Sequence, residues 1–121
     1  MILVDTSVWI DHLHVAGERL TILLTASDVL THPFIIGELA VGRLSQRDLV
    51  LTELQRLPRS KVASDPEVLR LIARHRLMGL GIGYIDAHLL AATLLTPATK
   101  LWSHDKRLMR AAETLAVAVA P

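Results

Sequence analysis

The sequence predicts an α/β fold with a central parallel sheet that helices cover on both faces. Two observations favour it. Short apolar runs of strand length alternate with longer segments of helical periodicity, which is the pattern of consecutive strand–helix units. Hydrophobic residues make up 51% of the chain but aromatic residues only 3%, so the core must consist mostly of Leu, Val, Ile and Ala. Such a core suits β-branched strands packed under helices rich in Leu and Ala.

The first half of the chain begins with a buried strand that ends at an acid, Asp5. Thr6 or Ser7 can cap the helix that follows, because a hydroxyl at that position accepts from a free backbone N–H. Pro33 suits the first turn of a later helix, where its missing N–H costs nothing. The predicted elements are a strand at Ile2–Val4, helices at Thr6–Leu13 and Glu18–Ala26, a strand at Val29–Thr31, and helices at Phe34–Val41 and Gln46–Leu57.

The second half continues the alternation. Asp65-Pro66-Glu67 is a strong helix start, and Gly79, Gly81 and Gly83 break the chain before the next helix. The predicted elements are a strand at Lys61–Ala63, helices at Asp65–Met78 and Tyr84–Thr96, a strand at Leu101–Ser103, a helix at Asp105–Thr114 and a closing strand at Leu115–Ala120. No repeat or linker divides the chain, so residues 1–121 are expected to form a single domain.

Composition excludes several classes of protein. No apolar run approaches the roughly 18 residues that cross a bilayer, and no basic segment precedes the first strand as in a secretory signal. Without cysteine there are no disulfides or thiolate metal sites, so a cytoplasmic location is expected. The formal charge of +1 is too small to indicate nucleic-acid binding by itself. If four acids cluster in one site, however, the remaining surface carries a clear positive excess.

Most acidic residues have an ordinary structural explanation: they start helices, precede a turn or lie on polar helix faces. These are Asp65, Glu67, Asp28, Asp48, Glu53, Glu18 and Glu113. Four others lie beside apolar segments, where a carboxylate is costly unless it is paired or metal-bound. They are Asp5, Glu38, Asp86 and Asp105. Only Asp5 and Asp105 are placed at strand ends by the sequence, and the convergence of the other two is an inference from the fold.

Convergence of these four acids would predict a divalent cation. Two carboxylates about 5 Å apart repel by roughly 3 kcal/mol at an effective dielectric near 20. A shared cation removes that repulsion, and a site with oxygen ligands alone selects Mg²⁺ or Mn²⁺ over zinc. Such an ion activates water and stabilises the charge that develops on a phosphodiester.

At these positions the chain resembles a PIN domain, and specifically the VapC-type toxins of toxin–antitoxin pairs. The matching stretches are Ile2–Leu13, the helix around Glu38, Gly81–Ala92 and Leu101–Leu108. The resemblance implies a three-layer α/β/α fold and Mg²⁺- or Mn²⁺-dependent endoribonuclease activity on structured RNA such as tRNA or rRNA. It also implies a homodimer and a cognate VapB-like antitoxin. Leu108 departs from the family pattern, because many relatives have an aromatic residue there.

The resemblance assigns roles to individual residues. Asp5, Glu38, Asp86 and Asp105 match the family's acidic quartet, as metal ligands and catalytic residues. Ser103 matches a small hydroxyl position two residues before the last acid. Apart from the resemblance, Thr6 and Ser7 are helix-cap candidates first and metal-site hydroxyls second. Asp11 has no assigned role, and hydrogen bonding within the fold or exposure to solvent is the simpler interpretation.

Basic residues beside the last acid are candidates for RNA contact. These are Lys106, Arg107 and Arg110, with Arg43 a weaker candidate after the Glu38 helix. A solvated helix face is the alternative for all of them. Because aromatic residues are few, recognition of RNA by shape is favoured over base stacking.

Two other functions remain open. An acyl-phosphate phosphatase would also use a strand-end aspartate and Mg²⁺, but it needs a second acid two residues later, where this chain has Ser7. A non-enzymatic module could keep the fold and use it to cover a partner. The presence of all four acids argues against that loss of function.

Overall fold

A computed structural model describes residues 1–121, and it has the expected three-layer α/β/α architecture. Three strands form the central sheet: β1 (Ile2–Val4), β2 (Val29–Leu30) and β3 (Lys100–Trp102). β1 lies in the middle, parallel to both neighbours, in the order β2-β1-β3. The carboxyl ends of all three strands therefore meet at one edge, where parallel sheets bind their ligands.

Seven helices cover the sheet. They are α1 (Thr6–His14), α2 (Glu18–Thr25), α3 (Pro33–Val41), α4 (Arg47–Arg56), α5 (Asp65–Arg74), α6 (Tyr84–Leu95) and α7 (Lys106–Thr114). None of them combines the length and the hydrophobicity that a bilayer-spanning segment needs.

The core is aliphatic, as the composition predicts. Twenty buried side chains form the main cluster, and Trp9 is the one aromatic residue among them. A smaller cluster of Ala63, Val68, Ala87 and Ala91 joins α5 to α6 through small side chains. These two helices can therefore approach closely, which fixes the position of α6 and of the acid in its first turn.

Two predicted strands are wrong as drawn. In place of Lys61–Ala63, a single bridge joins Arg59 to Thr31, and the Lys61 N–H donates to the Thr96 hydroxyl instead of to a strand. In place of Leu115–Ala120, only Ala118 pairs, with Leu101 of β3. The cause is the turn that ends α7, which takes up the first part of this predicted strand.

Helix ends also differ from the prediction. α5 stops at Arg74 rather than Met78, because Arg76 adopts a left-handed φ of 52°. α1 begins at Thr6 with Asp5 at its N-cap, so neither Thr6 nor Ser7 is the cap, and no side chain caps the helix. These corrections leave the Asp5 carboxylate and the Ser7 hydroxyl available for other contacts.

The start of α3 depends on a buried histidine. The backbone N–H of Phe34 donates to Nδ1 of His32, while Pro33 occupies the first helical position. Burial, followed by the charges of His88 and Arg59, lowers the pKa of His32 to about 4. The ring is therefore neutral at physiological pH and serves as an acceptor, which makes it a cap that a sequence rule based on Ser, Thr, Asp and Asn misses.

Candidate active site

Asp5 lies at the centre of the site, directly after the middle strand. Its backbone N–H donates to the carbonyl of Trp102 at 2.9 Å, so the end of β1 is joined to the end of β3. The residue is 7% exposed. A carboxylate so deeply buried needs hydrogen-bond donors or a cation.

Two serines supply donors to Asp5. The hydroxyls of Ser7 and Ser103 donate to the same carboxylate oxygen, Oδ2, at 2.8 and 2.7 Å. The Ser103 hydroxyl also accepts the backbone N–H of Asp105, and the Ser7 hydroxyl accepts that of His104. This serine pair fixes the rotamer of Asp5 and couples it to the loop that carries Asp105. The second oxygen of Asp5 makes no hydrogen bond.

Glu38 reaches the site from α3 through a third hydroxyl. The side chain of Thr6 donates to Oε1 of Glu38 at 2.8 Å, and Thr6 follows Asp5 directly in the chain. α1 and α3 pack against each other, which brings this glutamate to the strand edge. A purely structural role for Glu38 could be an ion pair with Arg43 or Lys100, and neither pair forms.

Asp86 faces the same edge from the first turn of α6. Its Oδ2 accepts the backbone N–H of Gly83 at 3.1 Å. Burial raises the pKa of Asp86 above its ordinary value, and the negative charges of Asp5 and Asp105 raise it further, against the lowering effect of the Gly83 hydrogen bond. The mutual repulsion is a physical sign that these three acids share one region.

Asp105 caps α7. Its Oδ1 accepts the backbone N–H groups of Arg107 and Leu108 at 2.9 and 3.2 Å. Oδ2 has no partner. The ordinary N-cap role and a role in the site are therefore compatible, because each uses a different oxygen of the same carboxylate.

The four acids have no cationic partner. The three ion pairs of the molecule involve other residues, so no lysine or arginine lies within 4.0 Å of these carboxylates. As placed, no three acidic or histidine side chains are close enough to hold one metal ion. The donor set still fits a divalent cation: the four carboxylates have no cationic partner, and carboxylate oxygens are the ligands that Mg²⁺ and Mn²⁺ prefer. The carboxylates would have to draw closer to share the ion.

Four basic candidates, called the basic rim, lie on or just after the helices that hold Asp105 and Glu38. Lys106, Arg107 and Arg110 are exposed on α7, and Arg43 lines a cleft of about 420 Å³ together with Glu38. The Arg107 side chain runs across Gly81, close enough that a Cβ there would lie 2.8 Å from its Cδ. All four side chains are free of ion pairs and can meet a polyanion.

Asp11 lies outside the acidic set and pairs with a histidine. Its Oδ2 contacts Nδ1 of His104, and both side chains are exposed. A hydrogen bond within the fold is the interpretation that the sequence favours for Asp11, and this contact agrees with it.

Comparison with known proteins gives the family. The chain matches the family model described as PIN domain over residues 2–114. The chain belongs to the PIN-domain family. It is similar to two proteins named Ribonuclease VapC32, from two strains of Mycobacterium tuberculosis, with 48% identity over 120 residues in each case. The alignment covers 99% of this chain and 97% of each relative, so the resemblance to VapC-type PIN ribonucleases is confirmed.

For Ser7 of this PIN domain, the sequence favoured a helix cap over a hydroxyl at the acidic site. Its position at the start of the helix that follows the strand-end acid Asp5 suggested a cap. The structure instead places its hydroxyl between the Asp5 carboxylate, to which it donates, and the His104 N–H, from which it accepts. The available signal was its spacing of two residues from Asp5, since that is the distance at which a hydroxyl can reach back to a preceding carboxylate.

Proposed function

We propose that this PIN-domain protein is a Mg²⁺- or Mn²⁺-dependent endoribonuclease and the toxin of a type II toxin–antitoxin pair. One observation carries the proposal: four carboxylates reach one sheet edge without a cationic partner, and the charges of Asp5 and Asp105 raise the pKa of Asp86. The similarity to proteins named Ribonuclease VapC32 supports RNA as the substrate. We further propose residues 1–121 as one PIN-like domain.

Asp5, Glu38, Asp86 and Asp105 would hold the ion. When bound, it would supply a Lewis acid for the phosphodiester and lower the pKa of an attacking water. The protein's own contribution is preorganisation. Ser7 and Ser103 hold one oxygen of Asp5 and leave the other free, and Thr6 does the same for Glu38. These hydroxyls would keep the Asp5 and Glu38 carboxylates oriented while the four side chains draw closer around the ion.

The rim contributes substrate binding. Lys106, Arg107, Arg110 and Arg43 would neutralise phosphates on either side of the cleaved bond. Contacts of this kind set affinity and salt dependence but carry no sequence information. We therefore propose structured RNA, such as tRNA or rRNA, as the substrate class.

A nuclease assay tests the activity. Purified protein with Mg²⁺ or Mn²⁺ should cleave RNA, and either chelation or Asp5→Asn should reduce cleavage to background. Asp28→Asn is the matched control, because Asp28 is an exposed acid in the turn before β2 and should leave cleavage unchanged. Turnover of an acyl phosphate without RNA cleavage would replace the nuclease by a phosphatase.

The toxin role needs a cellular test. Induction of the gene alone should arrest growth, Asp86→Ala should relieve the arrest, and a cognate VapB-like antitoxin should silence the wild type. We also propose a homodimer, which sedimentation of the purified protein checks. Harmless expression of the wild type without any partner would refute the toxin role and leave the nuclease proposal to its own assay.

A further inference from the structure

We propose that the cleft beside Trp102 is a nucleobase subsite, in which one unpaired base stacks on the Arg19–Trp102 pair next to the acidic centre. The inference rests on the proposed function for the identity of the polymer, RNA. It adds a binding contact that the acids and the basic rim do not supply, and it assigns that contact to two side chains.

The position of Trp102 ties this cleft to the acidic centre. Trp102 is the last residue of β3, and its carbonyl accepts the Asp5 N–H. The next residue, Ser103, donates to the Asp5 carboxylate and also lines the cleft. A base held here would belong to a nucleotide close to the phosphate at the acids.

The two side chains form an aromatic and cationic surface. The Arg19 guanidinium lies over the indole of Trp102, 4.8 Å from the ring centroid, and donates to the backbone carbonyl of Ala120. Arg19 is exposed and Trp102 partly exposed, whereas Trp9, the other tryptophan, is buried in the core. Aromatic rings and arginine planes are the groups on which proteins stack unpaired bases.

The cleft suits a base better than a phosphate. Its volume is about 550 Å³, within the roughly 300–1,000 Å³ typical of small-ligand sites. Met109 and the end of the chain from Ala118 to Pro121 add apolar wall. Glu113 also lines it, exposed and without an ion pair, and its carboxylate would repel a phosphate. A neutral, flat base avoids that repulsion and fills the apolar space.

The experiment compares two probes on the same protein. Equilibrium binding is measured, with chelator present so that nothing is cleaved, for a short single-stranded oligoribonucleotide and for its fully abasic counterpart. The decisive quantity is the ratio of the two dissociation constants. Wild type should bind the abasic probe about 5- to 160-fold more weakly, from the value of one base–aromatic stack. Only the base-bearing probe should quench tryptophan fluorescence.

Variants then assign the preference to the cleft. Trp102→Leu should bring the ratio close to one, whereas Trp102→Phe should keep most of it because the ring is retained. Arg19→Gln should lower the ratio, and Arg70→Gln, which removes an exposed arginine from a different groove, should not. Because each ratio is taken within one variant, a general loss of stability cancels, and the surface variant Arg19→Gln remains informative if Trp102→Leu folds poorly.

Two outcomes would overturn the subsite: equal binding of both probes by wild type, or an unchanged ratio in both Trp102→Leu and Arg19→Gln. The result separates cleanly from the nuclease assay. Base-dependent binding without cleavage would refute the proposed function alone. Cleavage together with a ratio of dissociation constants that both variants leave unchanged would refute the subsite alone.

Discussion

At the scale of single residues, Asp105 is both the N-cap of α7 and a proposed metal ligand, and one substitution can remove both roles at once. One oxygen accepts two backbone N–H groups at the start of α7, and the other has no hydrogen-bond partner. An amide side chain keeps an oxygen acceptor but loses the charge, whereas a methyl group loses both. The two roles can therefore be separated by choosing the substitution.

We expect Asp105→Asn to keep the stability of the fold and abolish cleavage. Asp105→Ala should abolish cleavage and also lower the free energy of unfolding by about 1 kcal/mol, the typical cost of a lost N-cap. Urea denaturation and the nuclease assay measure the two effects. Equal loss of stability in both variants would contradict the cap role, and full activity in Asp105→Asn would contradict its role in the site.

How far the site could be predicted depends on how each residue is reached. Asp5 and Asp105 follow strands, so the rule for parallel sheets is enough to bring them together. Glu38 and Asp86 are held by helices whose packing no local pattern encodes, so their assignment needed the family resemblance. A cap was favoured for Ser7 over a site hydroxyl because helix capping and carboxylate binding place a hydroxyl at the same point in the sequence.

At the scale of elements, the loop between α5 and α6 contacts two candidate site residues, Asp86 and Arg107. Gly83 donates to Asp86, while Gly79 and Gly81 have positive φ values of 74° and 77°. The two glycines differ in their surroundings. A Cβ on Gly79 would meet nothing within 4 Å, whereas one on Gly81 would collide with the Arg107 side chain.

This pair makes a matched test of Arg107. Gly79→Ala and Gly81→Ala should each lower the free energy of unfolding by about 1–2 kcal/mol, because both force an L residue into a left-handed conformation. Only Gly81→Ala should also weaken RNA binding, since it displaces Arg107. Thermal unfolding and RNA titration measure the two effects. Equal RNA affinity in the two variants would mean that Arg107 does not contact the substrate from this position.

Strand prediction succeeded for segments buried in the sheet and failed for outer segments, where hydrogen bonding to a neighbouring strand determines whether a strand forms. The middle strand and its two neighbours are apolar runs in a buried sheet, so hydrophobicity alone locates them. The segments at Lys61–Ala63 and Leu115–Ala120 have similar composition but lie at the outer edges, where each contributes one bridge or none. Whether an edge segment pairs with the sheet depends on the turns beside it, and the hydrophobic pattern of a sequence does not predict those turns.

At the scale of the whole molecule, four negative charges are gathered at one sheet edge, and the other charged residues carry a net positive charge. Twelve acids nearly balance thirteen lysines and arginines, and setting aside the four site acids leaves eight against thirteen. The formal charge of +1 therefore hides a separation of charge. The aliphatic core has to stabilise the fold against repulsion at the acidic edge, and a cation would relieve that repulsion.

The raised pKa of Asp86 predicts how this repulsion depends on pH. Burial first, and then the charges of Asp5 and Asp105, favour the protonated form in the folded protein. The contribution of Asp86 to stability is therefore fully present below its unfolded pKa of about 3.9, and it is lost as pH rises through the raised folded value. Without divalent cation, Asp86→Asn should raise the melting temperature at neutral pH and have little effect near pH 3.

Mg²⁺ or Mn²⁺ should reverse this order of stability, so that wild type melts at a higher temperature than Asp86→Asn. A cation that binds only the folded state stabilises it by about 2.7 kcal/mol at one hundred times its dissociation constant. Wild type should gain that stability and Asp86→Asn should not, because the variant lacks one charged ligand. Asp48→Asn, at an acid in the first turn of α4, should behave as wild type throughout. Thermal unfolding with chelator and with each metal measures all of these shifts. If the cation stabilises wild type and Asp86→Asn equally, its binding site lies elsewhere. If Asp86→Asn is less stable than wild type at neutral pH in chelator, the carboxylates do not repel one another in the folded protein.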